Sequence, residues 1–315
     1  MKKLNFLFLG GAKRVAMGKM FLDACSRRGI ETKVVGYELD EHAPLAAIGQ
    51  VERGLRWADT AIYSDIDRVV DLHGIDVVVP FVDPAVGIAA EYARRSGGAV
   101  FVPTGDKTSC ERMFDKIRAA ELFERAGLPI PATYRPGDPC LRLIAKPRFG
   151  SASQGLVIIN TLQKLYEIQG MGDRYLIQER IDEREELTVD CYASVRTGEI
   201  LAASPRKRLE VTGGEAMRTI TVDDAEATAL AERTIAAAGL RGAITVQLIR
   251  DLSDGRLMVM EVNPRLGGGA VCSVHAGADI PGLIVDEALG NTLGRQTASP
   301  AVLVARYPAD VVFKL

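Results

Sequence analysis

Val259-Met260-Glu261-Val262-Asn263-Pro264-Arg265 reads as a short apolar strand with oxygen-bearing side chains set two residues apart near its end. Period-two alternation puts Glu261 and Asn263 on one face and sends Met260 and Val262 to the other. Upstream, 243–249 is a second β-like run, and Asp251-Leu-Ser-Asp-Gly255 between the two is turn-forming, which predicts a hairpin. Pairing centred on that turn brings Gln247 opposite, or nearly opposite, Glu261. Three oxygen donors then converge on one patch, a set that suits a hard cation which keeps several waters and completes its shell with phosphate oxygens: Mg2+, with Mn2+ as the alternative. A Glu-x-Asn with no company would more often be the solvated edge of a hairpin, so the residues upstream decide its meaning.

Residues 1–104 alternate strand-like stretches (4–9, 32–37, 76–81, 99–102) with helical ones, beginning with an amphipathic run over 14–28, the order of βαβ units on a parallel sheet. Gly10-Gly11 falls at the first strand-to-helix turn, where backbone can approach an anion. The line continues Ala12-Lys-Arg-Val-Ala-Met17, not Gly-x-Gly-x-x-Gly, so a tight structural turn accounts for the glycines at least as well as a nicotinamide dinucleotide does. From Thr104 the character changes. A helix is expected over 109–126, carrying Lys116 and stopping at Gly127-Leu-Pro-Ile-Pro131.

A strand over 141–146 then runs Lys146 into Pro147-Arg-Phe-Gly-Ser-Ala-Ser-Gln-Gly155, followed by a strand over 156–159. Small residues there let backbone N–H groups wrap an anion, and the ammonium at the entrance adds a point charge. A phosphate flap and a plain flexible hairpin loop fit equally; a Walker A loop, which needs Gly-Lys-Ser/Thr opening a helix, does not. Tyr175-Leu-Ile-Gln-Glu179-Arg-Ile181 is a strand ending in an acid, and Glu186 begins the next strand. An acid followed by exposed backbone at Arg180 and Ile181 can hold an adenine by main-chain bonds, and a second acid can accept two ribose hydroxyls. Pro205-Arg-Lys-Arg208 follows, its adjacent cations suiting either a solvated face or an anionic substrate, and a helix is expected over 224–238.

The totals are those of an ordinary soluble chain of about two domains: 315 residues, 47% apolar and 25% charged. A net charge of -2 makes no case for nucleic acid or an anionic membrane as partner. Cys25, Cys110, Cys140, Cys191 and Cys272 are scattered without a Cys-x-x-Cys pair, which argues for a reducing, cytoplasmic compartment and against a zinc site or disulfide framework. Leu4-Asn-Phe-Leu-Phe-Leu9 is short and interrupted by Asn5, so it is expected to be a first strand, not a signal peptide. No apolar run approaches a membrane span.

With Lys116, Lys146, the 150–155 loop, Glu179, Glu186, Gln247, Glu261, Asn263 and Arg265 in this order, the chain resembles the ATP-grasp superfamily. Its nearest likeness is to the synthetase halves of the carbamoyl-phosphate synthase large subunit and to stand-alone carboxylate–amine ligases of similar build. The resemblance implies an α/β and α+β fold: a pre-ATP-grasp, Rossmann-like parallel sheet over 1–104, then a two-subdomain ATP-grasp fold over 105–315. Its N-terminal lobe would be 105–180 with the phosphate loop 146–155, and its C-terminal lobe 181–315 with the metal site. It implies ATP with Mg2+, two ions bridged by Glu261 and completed by Gln247 and Asn263. Lys116 and Lys146 would meet the α- and β-phosphates, Ser151, Ala152 and Ser153 would cover the β- and γ-phosphates, Glu179 with the backbone at Arg180 and Ile181 would take adenine, and Glu186 the ribose. Arg265, with Lys146, would serve catalysis by steadying a phosphorylated acid.

The implied activity is activation of a small-molecule carboxylate as an acyl phosphate and its capture by an amine, with no nucleophile from the protein and hence no role for His42, His73 or His275. Carbamoyl-phosphate synthase-like activity and a non-catalytic ATP-binding regulatory protein are the alternatives; the sequence leaves the oligomeric state open, a homodimer being the commonest assembly among soluble homo-oligomers. Two departures from the large synthase stand out: one copy of the module replaces two, and Leu266-Gly-Gly-Gly269 replaces a serine-rich segment after Arg265. Asp83-Pro84 and 206–208 are candidates for substrate contact.

Overall fold

Four apolar residues in a row, Phe6–Leu9 (β1), are all buried, the pattern of a parallel strand covered on both faces. In this computed structural model, residues 2–138, 142–150, 154–213 and 215–314 are described, Glu215 by its backbone alone. After β1 come α1 (Val15–Ser26), β2 (Val34–Glu38), β3 (Gln50–Arg53), α2 (Ile62–His73), β4 (Val77–Pro80) and α3 (Asp83–Arg95). The strands form a parallel sheet of order β3-β2-β1-β4. β3 escaped the hydrophobic pattern because it is a polar edge strand, exposed at both ends. The strand expected over 99–102 is reduced to a single bridge between Phe101 and Val77. Pro103 has no N–H with which to continue the ladder, and the chain leaves the sheet there, the Pro103 carbonyl accepting from Ala243 N–H at 3.1 Å.

The helix expected over 109–126 is two, α4 (Lys107–Phe114) and α5 (Lys116–Arg125). Asp115 breaks it, in extended conformation. Its carboxylate accepts from Arg118 N–H at 3.2 Å as the N-cap of α5 and receives the Arg148 guanidinium at 2.7 Å. The break puts Lys116 on the first residue of a helix, its N–H bonded to the Arg148 carbonyl at 3.0 Å. β5 (Leu143–Pro147), β6 (Val157–Ile159), α6 (Leu162–Gln169) and β7 (Tyr175–Glu179) follow, the strands forming a small antiparallel sheet of order β6-β5-β7.

The larger sheet has order β12-β11-β8-β9-β10-β13. Its elements are β8 (Arg184–Ala193), β9 (Ile200–Thr212), β10 (Glu215–Thr221), α7 (Ala225–Ala238), β11 (Gly242–Asp251), β12 (Leu257–Asn263), α8 (Val271–His275), α9 (Ile280–Ala288) and β13 (Leu303–Ala305). α7 starts where Asp224 caps Ala227 N–H at 2.9 Å and stops at left-handed Gly239. Its apolar face, with those of α4 and α5, joins Leu187, Val189, Ile244, Val246 and Leu248 in one core. α9 instead returns to the first sheet: Leu283 and Ile284 share a core with Phe6, Phe8 and Phe21, and Arg28 at the end of α1 pairs with Asp286 at 2.6 Å. That return holds the segment after β12 against the first sheet. Among the described residues no helix is long and apolar enough to cross a membrane.

Candidate functional site

A cavity of about 1010 Å³ lies where the first sheet, the small sheet and the large sheet meet. On its floor, antiparallel pairing of β11 with β12 sets Gln247 opposite Glu261 and Thr245 opposite Asn263, so Gln247, Glu261 and Asn263 line one patch. The expected alternation fails at one residue. Gln247 faces Glu261 while Leu248 faces Val259, leaving Met260 as the extra residue of a β-bulge. Met260 therefore lines the same cavity as Glu261 instead of pointing away.

The Glu261 carboxylate accepts no hydrogen bond from any described residue. Burial raises its pKa, against the opposing pull of Lys116, Arg265 and Lys146, while Asp83 adds to the rise. A carboxylate withdrawn from water, free of donors and facing cations is poised for a cation or a phosphate's metal. The carbonyl-type oxygens of Gln247 and Asn263 beside it complete a hard, all-oxygen donor set, which fits Mg2+.

Lys146 leaves β5 toward this floor, its Nζ donating to Gln178 Oε1 at 2.8 Å. Burial lowers its pKa to about 8; Glu261 pulls upward and neighbouring Lys116 downward. Lys116 Nζ donates to the Gly150 carbonyl at 2.5 Å, which ties the α5 start to the loop after β5. Ser151, Ala152 and Ser153, the centre of the expected phosphate cover, lie outside the described residues; Phe149, Gly150 and Gln154 beside them line the cavity.

At the far end of β7 the Glu179 carboxylate is held from two sides. It accepts from Ala132 N–H at 2.9 Å and from Arg256, on the turn of the β11–β12 hairpin, at 2.9 and 3.2 Å. Arg180 N–H is bonded to the Arg142 carbonyl at 2.7 Å, and its guanidinium turns to Asp182 and Asn160. The Arg180 carbonyl and the Ile181 N–H enter no hydrogen bond among the described residues, so an acceptor and a donor stand side by side at the cavity wall. Beside them Ile181, Ile249, Met258 and Met260 form a small apolar cluster. This apolar slot was invisible in the sequence because the bulge, not the alternation, delivers Met260. Glu186 on β8 lines the wall and pairs with Arg208 at 3.1 Å and Arg184 at 3.3 Å.

The three cations at 206–208 do not share a solvated face. Arg206 is buried and pairs with buried Asp190 at 2.7 Å, Lys207 turns to Glu185 at 2.6 Å, and Arg208 reaches Glu186. Asp190 also accepts from Ser273 at 2.7 Å. Arg265 lies where β12 ends. Its Nε donates to Asp83 Oδ1 at 2.5 Å, across 182 residues of chain, and Thr245 fixes the turn by donating to the Arg265 carbonyl at 3.0 Å and accepting from Gly267 N–H at 2.9 Å.

Gly10-Gly11 takes no part in the cavity. Gly10 has φ +72°, and a Cβ there would meet Val82 at 2.4 Å; one on Gly11 would meet Phe8 at 2.8 Å. The N–H groups of Gly11 and Ala12 pull the pKa of the nearby Glu38 carboxylate down, but burial still pushes it up to about 7. The turn is packed shut against Val82 and Phe8.

A family model described as "ATP-grasp in the biosynthetic pathway with Ter operon" matches residues 173–309. The N5-carboxyaminoimidazole synthetase of Staphylococcus aureus, solved with ADP, superposes with a TM-score of 0.73 at 18% identity, over 95% of this chain and 81% of that one. The fold is the ATP-grasp fold. An L-amino acid ligase from Bacillus licheniformis also superposes, with a TM-score of 0.71 and 17% identity over 93% of this chain and 76% of that one. In sequence, a probable alpha-L-glutamate ligase of Methanococcoides burtonii is 26% identical over 240 residues, 69% of this chain and 77% of the relative.

Proposed function

We propose that the chain is a Mg-ATP-dependent ligase that activates a carboxylate as an acyl phosphate for attack by an amine, giving ADP, phosphate and an amide-type product. One observation carries this: donor-free Glu261, flanked by Gln247 and Asn263, faces Lys116, Lys146 and Arg265 across a single cavity. A carboxylate is a poor electrophile at neutral pH, since its charge repels nucleophiles and oxide does not leave. Taking the γ-phosphoryl group supplies a leaving group, and the work left to the protein is positioning and charge neutralisation.

Gln247, Glu261 and Asn263 would hold Mg2+, which when bound neutralises and orients the phosphates. Lys116 and Lys146 take charge on the α- and β-phosphates. The Arg180 carbonyl and Ile181 N–H hold the adenine edge against Ile249 and Met260, with Glu179 fixing the strand end and Glu186 meeting the ribose. Arg265 steadies the phosphorylated acid. No protein nucleophile is needed, and the described cysteines, Cys25, Cys110, Cys191 and Cys272, are buried. The names of the relatives, an alpha-L-glutamate ligase and an L-amino acid ligase, support amide formation between small molecules. We place the activity in the cytoplasm and divide the chain into 1–104, an N-terminal lobe 105–180 and a C-terminal lobe 181–315.

The Gln-Glu-Asn trio favours carbamoyl-phosphate synthase-like chemistry as the second reading. A screen of ADP release over amino acids and other carboxylates, with mass spectrometry of products, separates them: an amide supports the ligase, and carbamoyl phosphate supports the second reading. Nucleotide binding without ADP release across the panel marks a regulatory binding protein and overturns both.

A further inference from the structure

The turn after β4 brings the first domain to the cavity. Phe81 donates its N–H to the Leu9 carbonyl at 2.9 Å and sets its ring 4.7 Å from that of Phe8. Val82 lies on Gly10, where a Cβ would stand only 2.4 Å from it, so the glycine of the β1 turn seats the turn that carries Asp83. Asp83 opens α3, where the helix dipole favours its charged form. It also stands at the carboxyl ends of parallel strands, where such sheets present their binding groups. Its Oδ1 takes the Nε–H of Arg265 at 2.5 Å, and both side chains are mostly shielded from water. The other side-chain contacts of Arg265 are long: Nη1 to the Leu266 carbonyl at 3.5 Å and Nη2 to Asn263 Oδ1 at 3.4 Å. A second tie lies nearby at Gly268, on which Arg14 rests, a Cβ there meeting its Nη1 at 2.6 Å.

We propose that Asp83 is a positioning residue for the reaction, holding the Nε edge of Arg265 so that the Nη1–Nη2 edge is left for the phosphorylated acid; this rests on the ligase reading above. A guanidinium is a rigid planar fork, so fixing one edge fixes the direction of the other. With Nε held at short range by a charged partner and both Nη groups in long contacts only, the Nη pair is the part of Arg265 that can be given to an oxyanion in bidentate fashion. An Arg265 without Asp83 would sample several rotamers, and ordering it would fall to the incoming acid. Nη2 also touches Asn263, so the direction of the fork bears on the metal site. Glu261 feels both partners: Arg265 favours its charged form and Asp83 disfavours it. Paired, the two offset one another, whereas Asp83 alone would turn its charge on Glu261 and on the phosphates. The first domain, to which no metal ligand and no phosphate lysine is assigned, in this way sets the geometry at the acid.

The test is steady-state ADP release by the full chain with Mg-ATP and whichever acid of the panel above gives the fastest release. The variants are Asp83→Asn, Asp83→Glu, Arg265→Gln and the double variant of Asp83→Asn with Arg265→Gln. Asp83→Asn should raise the KM for the acid about 10–100-fold, the worth of a hydrogen bond between charged groups, while the KM for Mg-ATP does not rise. Asp83→Glu keeps the ion pair and should recover part of that loss. Adding Asp83→Asn to Arg265→Gln should bring no further loss of kcat/KM for the acid, because Asp83 then has no guanidinium to hold and its charge acts only against Glu261. An unchanged KM for the acid, a rise shared equally by Mg-ATP, losses that multiply in the double variant, or an Asp83→Asn chain that fails to fold by circular dichroism each overturns the positioning role and leaves the ligase reading standing. Absence of acid-stimulated ADP release by the wild-type chain over the whole panel overturns the ligase reading, and the positioning role with it.

Discussion

The large sheet that carries Gln247, Glu261 and Asn263 is backed by Leu187, Val189, Ile244, Val246 and Leu248 packed with Leu230 and Ile235 of α7. The small sheet that carries Lys146 rests on Leu143, Ala145, Ile159, Leu165 and Ile168, and leaves Ile158 and Tyr166 exposed. Elements with few buried apolar contacts open at lower free energy than a thick core. The two walls of the cavity are therefore unequal: the oxygen donors stand on the sheet with the larger apolar core, Lys146 on the sheet with the smaller one. That division suits a reaction in which a metal must be held in fixed geometry while a lobe opens for nucleotide to enter and leave.

The comparison can be broken at several points. Glu261→Ala acts on the chemistry of the wall with the larger core and should lower acid-dependent ADP release about 10³-fold, roughly 4 kcal/mol of transition-state stabilisation, with the fold intact by circular dichroism; full turnover would sink the metal assignment. Leu248→Ala acts on the same wall's packing and should cost about 2–5 kcal/mol in denaturant unfolding. Leu165→Ala removes the same atoms from the small lobe, and should speed hydrogen exchange over 143–179 with a much smaller shift of the main transition. Equal shifts from the two substitutions would erase the distinction between the walls.

Lys146→Met tests the charge on the wall with the smaller core. Hydrogen bonds to charged groups are worth about 1.5–3 kcal/mol, so the Kd for Mg-ATP should rise about 10–100-fold. The smallest effect is a proton. Lys146 titrates at about 8 in the nucleotide-free chain, and phosphates favour its charged form. Nucleotide binding should therefore take up a fraction of a proton when the pH exceeds about 8, and affinity should fall as pH rises through that value. Titration calorimetry in two buffers of different ionisation heat reads this uptake. Lys146→Met should abolish it, and uptake that persists in the variant would assign it to another group.

Much of the site was legible because it is local. Gln247 and Glu261 face each other across one turn, and strand alternation puts Glu261 and Asn263 side by side whatever the rest of the fold does. The order of Lys116, Lys146, Glu179 and Glu186 likewise needed no coordinates. The buried run of β1 and the caps of α7, Asp224 and Gly239, were written in residue type alone. Other features were decided where separate elements meet. The break at Asp115 exists because Arg148, from a loop thirty-three residues on, pairs with it. The bulge that turns Met260 into the cavity depends on how β11 and β12 register beyond Gln247. Arg206 became structural, not a substrate contact, once β8 set Asp190 beside it. Asp83 meets Arg265, and Arg14 meets Gly268, because α9 returns to the first sheet and buries its apolar face against α1. Periodicity and propensity are functions of near neighbours in the chain, whereas these charges met through the burial of apolar surface on elements far apart in it, and that only the tertiary structure settles.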